Sequence, residues 1–367
     1  MTTLFVVGVF RSGTSLLYAL LNQHPDIALM YECDVWNFPR FLLPLRFCHD
    51  WTGRLEFYTN ALSRHHLAEE DSVCELRTPD DLYRVFGRSK NARIIGEKSP
   101  SYCDRLAQLA QNHPHSRFIL IWRDPLEIYQ SVEDAARNSR FFRRPGMLER
   151  LIFYHEKMIA GAARLIQSGN QVHHVTYEEL INQTEESCRG ICRFLEIEYD
   201  SRMNGLAGAD LSAIYDAPHL SHLRLGKIGR RAAKIQAAPG VAQKLQRFQN
   251  RWNRLRQGLL NFKTGAAAGP EPGILERVRH GLSGRLLCSR DSAIRVGFEF
   301  LPLPWLRTYR QAKSWFNEGR PPPEHRPSLS EEFGAHKATI LAGLVVLGLV
   351  ALADYFTGAA VSLMPFY

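Results

Sequence analysis

The sequence offers little from which a metal centre could be built. Its seven cysteines (33, 48, 74, 103, 188, 192 and 288) are scattered and odd in number. Cys188 and Cys192 stand one helical turn apart, with no second pair to complete a zinc site. This pattern excludes a zinc-ribbon reading and fits reduced thiols. The histidine pairs 65–66 and 173–174 supply neither triad nor metal geometry, so no metal is expected. Internal repeats are absent, which excludes solenoid and propeller architectures. The N-terminus has no basic segment followed by an apolar stretch, and Thr3 leads straight into what reads as a core strand. Neither a secretory signal nor an N-terminal anchor is expected on that basis.

What is present describes a globular chain. With 45% hydrophobic and 23% charged residues over 367 positions, there is enough apolar material for one large α/β domain and an appendage. The net charge of +9 is unevenly distributed: residues 223–337 hold 22 Lys and Arg against 8 Asp and Glu. A basic rear suits an anionic partner, either nucleic acid or anionic lipid.

Short apolar runs alternate with helical patterns along the first 200 residues. Leu4–Gly8, Arg93–Gly96, Phe118–Trp122 and Gln171–Thr176 read as buried strands, and Ile27–Met30 as a strand or extended segment. Helices are expected from Ser15 to Leu21 and over 101–112, 125–138 and 146–167. This order predicts an α/β fold, a P-loop-type doubly wound parallel sheet flanked by helices, with its site at the carboxyl ends of the strands.

The most informative segment is Gly8-Val-Phe-Arg11-Ser12-Gly13-Thr14-Ser15, between the first strand and the first helix. Two glycines five apart in that setting let backbone N–H groups and a helix N-terminus surround an anion. The lysine that a nucleoside triphosphatase needs is missing, and Thr14 holds its place. Arg11 supplies charge from within the loop instead. The loop therefore suits a diphosphate-like group less charged than ATP, without magnesium.

The run Phe5 to Leu17 resembles the 5′-phosphosulfate-binding motif of the sulfotransferases that use 3′-phosphoadenosine 5′-phosphosulfate (PAPS). It is most similar to the tyrosylprotein and carbohydrate branch, and the likeness extends over residues 3 to about 200. Several assignments follow from the resemblance. Arg11, Ser12, Gly13, Thr14 and Ser15 would hold the phosphosulfate. Arg123 and Ser131, eight residues apart, match the pair that grips the 3′-phosphate; an arginine fork and a hydroxyl give one phosphate several donors. Glu32, 21 residues beyond Arg11, matches the catalytic base, with Asp34 or Glu97 as substitutes. Lys98, in a segment placed just after a strand, matches the lysine that stabilises the transferred group. Tyr177 would touch the nucleotide. The segment 222–230 reads equally as a loop closing over PAPS and as an ordinary basic loop.

The implied function is sulfuryl transfer from PAPS to a hydroxyl acceptor on a glycan, lipid or protein. A P-loop kinase-like protein and an inactive membrane-associated binding module are the alternatives. The expected organisation is a catalytic domain over 1–262, a linker over 263–273 and a basic amphipathic helical region over 274–330. A transmembrane tail anchor over 338–356 completes it. That last stretch is about 28 Å long as a helix, close to a hydrocarbon core of roughly 30 Å. His336 and Lys337 mark its near side as cytoplasmic, so the expectation is membrane association with a cytoplasmic catalytic domain and no nucleic-acid partner.

Overall fold

The computed structural model describes residues 2–36, 65, 79–139, 142–143, 146–214, 220–226, 228 and 239–263. The expected linker beyond Lys263, the basic region 274–330 and the apolar stretch 338–356 lie outside the described residues, as does most of 227–230. Among the described residues no helix is long and apolar enough to cross a membrane.

Five parallel strands form one sheet: β1 (Thr2–Val7), β2 (Ile27–Tyr31), β3 (Ile94–Lys98), β4 (Arg117–Trp122) and β5 (Gln171–Thr176). Their spatial order is β2-β3-β1-β4-β5. The N-terminal strand is thus central, and the order reverses at β1. Helix α1 (Thr14–Leu21) follows β1, and α2 (Pro79–Lys90) precedes β3. A 3-10 turn (Pro100–Asp104) and α3 (Leu106–Asn112) join β3 to β4. Helices α4 (Pro125–Ala136) and α5 (Met147–Gln167) join β4 to β5. Beyond β5 come α6 (Tyr177–Asn182), α7 (Thr184–Leu195), the short α8 (Ser221–Arg224) and the long α9 (Pro239–Lys263).

Strands buried on both faces explain why their sequences read as continuous apolar runs. On one face Leu4, Val6, Ile119 and Ile121 pack with α1 and α7 residues such as Leu17, Leu20 and Ile191. On the other, Phe5, Val7, Phe118 and Leu120 pack with Tyr83, Leu106, Ile159 and Trp252, from α2, α3, α5 and α9. Each core side chain on these strands is removed from water, worth about 1.5–3 kcal/mol for a large aliphatic or aromatic group.

Two expectations need correction. The segment over 101–112 is not one helix: it breaks at Arg105, whose φ of −126° leaves the helical region. The first half is instead tied to β3, because the Tyr102 hydroxyl donates to Glu97. More consequentially, β3 does not end at Gly96. It runs through Glu97 and Lys98, which register opposite Phe5 and Val6 of β1 and opposite Met30 and Tyr31 of β2. Two charged residues look like a strand's exit, but here both are fully buried. The neighbours described next satisfy their polar atoms.

Candidate active site

All five strands run the same way, so their carboxyl ends share one edge, and each delivers a candidate residue there. The Arg11–Ser15 loop follows β1, Glu32 follows β2, Lys98 closes β3, Arg123 follows β4 and Tyr177 follows β5.

The phosphate loop is shaped by its glycines. A Cβ on Gly8 would lie 2.4 Å from the Ser12 Oγ and 2.8 Å from the Ile121 carbonyl oxygen. Gly13 has φ of +99°, and a Cβ there would meet the Tyr177 ring at 2.4 Å. Arg11 also adopts the left-handed region, with φ of 70°, a conformation that costs a non-glycine residue free energy. Gly13 caps α1 without a side-chain hydrogen bond. The helix therefore keeps its first N–H groups and the positive end of its dipole directed into the loop. Ser12 is buried, and its hydroxyl has no hydrogen-bond partner among the described residues. An unsatisfied buried hydroxyl beside an uncapped helix start is the arrangement an incoming anion would complete. Thr14 is buried at the first helical position.

Two clusters flank this loop. In the first, the Lys98 Nζ donates to the Glu32 Oε1 and, at 3.4 Å, to the Ser15 Oγ. It also lies 3.5 Å from the centre of the Tyr31 ring, whose hydroxyl is 2.8 Å from the same Ser15 Oγ. Burial lowers the Lys98 pKa, and the Glu32 carboxylate opposes that shift. In the second cluster the Arg11 Nε donates to the Ser131 Oγ at 3.1 Å. The Arg123 guanidinium donates to the Arg11 carbonyl at 2.9 Å and stacks 4.1 Å from the Tyr177 ring centre. Its remaining nitrogens face Glu127 at 3.4 Å. Arg123 and Ser131 are therefore not an isolated pair: Arg11 reaches out of the loop and joins them. Asp124 caps α4 by accepting from the Leu126 and Glu127 amides, as Pro125 at the helix start suggests.

The other two carboxylates named from the sequence have different surroundings. Glu97 sits on the opposite face of β3 from Lys98. Both its oxygens accept hydrogen bonds, from the Asp34 and Val35 amides and the Tyr83 and Tyr102 hydroxyls. Burial, and then the Asp34 carboxylate, push its pKa up to about 8. Asp34 in turn accepts from the hydroxyls of Ser99 and Ser101. Of the three carboxylates named from the sequence, it is Glu32 that accepts from the Lys98 ammonium.

A sequence model of the sulfotransferase family matches residues 3–201, more than half of the chain. The chain belongs to the sulfotransferase family. Its members are enzymes that move a sulfuryl group to a hydroxyl acceptor. Over 218 residues this sulfotransferase is 25% identical to a putative protein-tyrosine sulfotransferase of Caenorhabditis briggsae, a match covering 57% of the chain and 71% of the relative. Over 201 residues it is 25% identical to protein-tyrosine sulfotransferase 1 of Danio rerio, covering 54% of each. The chain thus spans only about half the length of the second relative. Among solved structures, the sulfotransferase domain of a Synechococcus olefin synthase superposes with a TM-score of 0.47 at 20% identity. That likeness covers 68% of this chain and 94% of the domain.

Some contributors to the site were not singled out in the sequence. Tyr31 could have been, because it precedes Glu32 and pairs in register with Lys98. Tyr83 and Tyr102 carried no signal until the burial of Glu97 was known. His65 accepts the Tyr31 amide at 3.0 Å across 34 residues, a contact no local pattern announces. His174, half-buried on β5, accepts from the Trp122 indole at 2.9 Å. Among the described residues no group of three or more potential ligands could hold a metal ion.

Proposed function

We propose that this sulfotransferase draws on PAPS and uses Glu32 as general base, with Lys98 as the cation that steadies the transferred group. The observation that carries the reading is the continuous contact from Glu32 through Lys98 to Ser15. Base, cation and phosphate loop are thereby joined at one sheet edge. The unpartnered Ser12 hydroxyl and the uncapped start of α1 fit a phosphosulfate group. Arg123, Arg11 and Ser131 form a donor set suited to a second phosphate, the 3′-phosphate, while the Tyr177 ring supports the Arg123 guanidinium.

PAPS supplies the transferable sulfuryl group; the protein's part is positioning, proton removal and charge stabilisation. Glu32 is partly open to solvent, with 27% of its side chain exposed, whereas Lys98 has none. A hydroxyl entering from the open side meets the carboxylate first and gives up its proton there. Lys98, held in a water-excluded position, directs its charge towards the loop, where negative charge builds up. The names of the two relatives support a protein tyrosine hydroxyl as the acceptor. We further propose that 338–356 anchors the protein in a membrane.

The test is transfer of label from PAPS into a tyrosine peptide and into the lipid, glycan and protein fractions of a lysate. Glu32→Gln should slow transfer on the order of 10²–10⁴-fold. Equal labelling by wild type and variant would remove Glu32 from its role. Label confined to lipid or glycan would replace the tyrosine acceptor while leaving the donor site standing. Release of the full chain from membranes by high salt without detergent would exclude the anchor.

A further inference from the structure

The turn that carries Glu32 is built in a way that strands do not ordinarily end. Glu32 has φ of 48° and Asp34 φ of 56°. Two non-glycine residues in the left-handed region within three positions cost of order 1–3 kcal/mol each, so the surroundings must hold them. Three consecutive backbone amides after Cys33 show how. The Asp34 amide donates to the Glu97 Oε1, and the Val35 amide to the Glu97 Oε2 at 3.3 Å. The Trp36 amide donates to the Tyr102 hydroxyl at 3.0 Å, and that hydroxyl donates onward to the Glu97 Oε2 at 2.7 Å. The Tyr83 hydroxyl adds a fourth donor at 3.1 Å. Glu97 itself is fully buried.

A carboxyl group with no exposure is costly unless its oxygens are fully used. Here two of the four donors are amides of the segment 34–36, and a third, the Tyr102 hydroxyl, itself accepts from the Trp36 amide. On the near side of that segment the Glu32 amide donates to the Lys98 carbonyl at 2.9 Å, and the Glu32 side chain meets the Lys98 ammonium. Adjacent residues of β3 thus act on the two ends of one turn. Lys98 holds the carboxylate, and Glu97 holds the backbone behind it.

We propose that Glu97 is a positioning residue for the reaction, fixing the 32–36 turn so that the Glu32 carboxylate stays at Lys98 and the phosphate loop. This rests on the reading of Glu32 as the base. Glu97 touches neither donor nor acceptor; its effect passes through Glu32. A glutamine at position 97 keeps one acceptor oxygen for the Asp34 amide. It places an NH₂ where the Val35 amide and the tyrosine hydroxyls now donate, so the turn loses part of its anchor while the core keeps its volume.

The experiment pairs amide hydrogen exchange with kinetics on the full chain, using Glu97→Gln, Glu32→Gln and the double variant. In Glu97→Gln, exchange at Asp34 and Val35 should quicken about tenfold or more, while β1 and β4 keep their protection. Turnover should fall about tenfold or more, because displacement of a reacting group by an ångström costs up to about 10²-fold. The KM for PAPS should stay within about twofold, since the phosphate loop is untouched. The double variant should be no slower than Glu32→Gln alone, because both changes act on one group. Wild-type exchange at Asp34 and Val35, or wild-type turnover, overturns the proposal. So does a double variant whose losses multiply. If Glu32→Gln turns over normally, the base assignment fails by itself, and the exchange data still decide whether Glu97 holds the turn. Should Glu97→Gln not fold, Tyr102→Phe removes the hydroxyl that links the Trp36 amide to Glu97; faster exchange at that amide with slower turnover is then expected, and no change in either overturns the proposal.

Discussion

Lys98 is fully buried and Glu32 only partly so, and that difference sets what each contributes. Removing Glu32 strands an ammonium in the interior, whereas removing Lys98 leaves a carboxylate that water can reach. Breaking a buried pair by deleting one partner costs about 3–5 kcal/mol when the survivor is desolvated. Glu32→Ala should therefore lower stability by about 3 kcal/mol, and Lys98→Met by distinctly less, as judged from urea midpoints at pH 7. Equal losses would mean that the surviving charge is solvated in both cases. At this scale the sequence was informative about identity and poor about setting. Arg11 was legible in its loop, Glu32, Lys98, Arg123 and Ser131 through the family resemblance, and the structure gathers them at one edge. Glu97 was named from the sequence only as a substitute base, and its burial was not legible, because its partners Tyr83 and Tyr102 sit 14 and 5 residues away on other elements. No local pattern could have named them.

Elements were legible where a period ran long enough. Helix α5 was expected over 146–167 and spans Met147–Gln167; α4 was expected from 125 and starts there, fixed by Asp124 and Pro125. The packing between helices was not legible. Helix α9 lies against α5, with Lys244 on Glu149 at 2.6 Å and Arg251 on Glu156 at 2.7 Å. It also reaches the cap of α4, where Gln249 donates to Asp124. Buried in the α5–α9 seam is His155, its Nδ1 2.7 Å from the Leu151 carbonyl and its ring edge-on to Phe248 and Trp252. Burial pushes its pKa down from 6.5 to about 4. A histidine depressed in the folded state takes up its proton more readily when unfolded, so the unfolded chain binds more protons between those values. Stability should therefore fall as pH drops from 6.5 towards 4, by about 3 kcal/mol from this residue, at 1.36 kcal/mol per pH unit. His155→Phe should flatten that part of the melting-temperature profile; an unchanged slope would place the acid sensitivity elsewhere.

For the molecule as a whole, the donor site predicts linkage between binding and stability. The product nucleotide 3′-phosphoadenosine 5′-phosphate at about 100 times its dissociation constant should add about 2.7 kcal/mol. Arg123→Ala should abolish most of that gain by removing the stacked guanidinium, whereas Arg247→Ala on the exposed face of α9 should leave it intact. Equal shifts in both variants would remove Arg123 from the nucleotide site. The doubly wound parallel sheet was legible because strand and helix periods alternate along the first half of the chain. The order of its strands was not, since nothing local says that the first strand takes the middle place.

That middle place has a consequence for how the protein comes into being. Thr2 pairs with Ile94 and Leu4 with Arg117, so both edges of β1 face partners encoded roughly a hundred residues later. At a synthesis rate of about 5–20 residues per second, β1 leaves the ribosome on the order of ten seconds before either neighbour exists. For that interval its apolar run and unpaired backbone are available to other chains. The strand that later carries the phosphate loop thus waits on both edges for partners made after it. Yield of folded enzyme should therefore depend on what shields the nascent chain during those seconds.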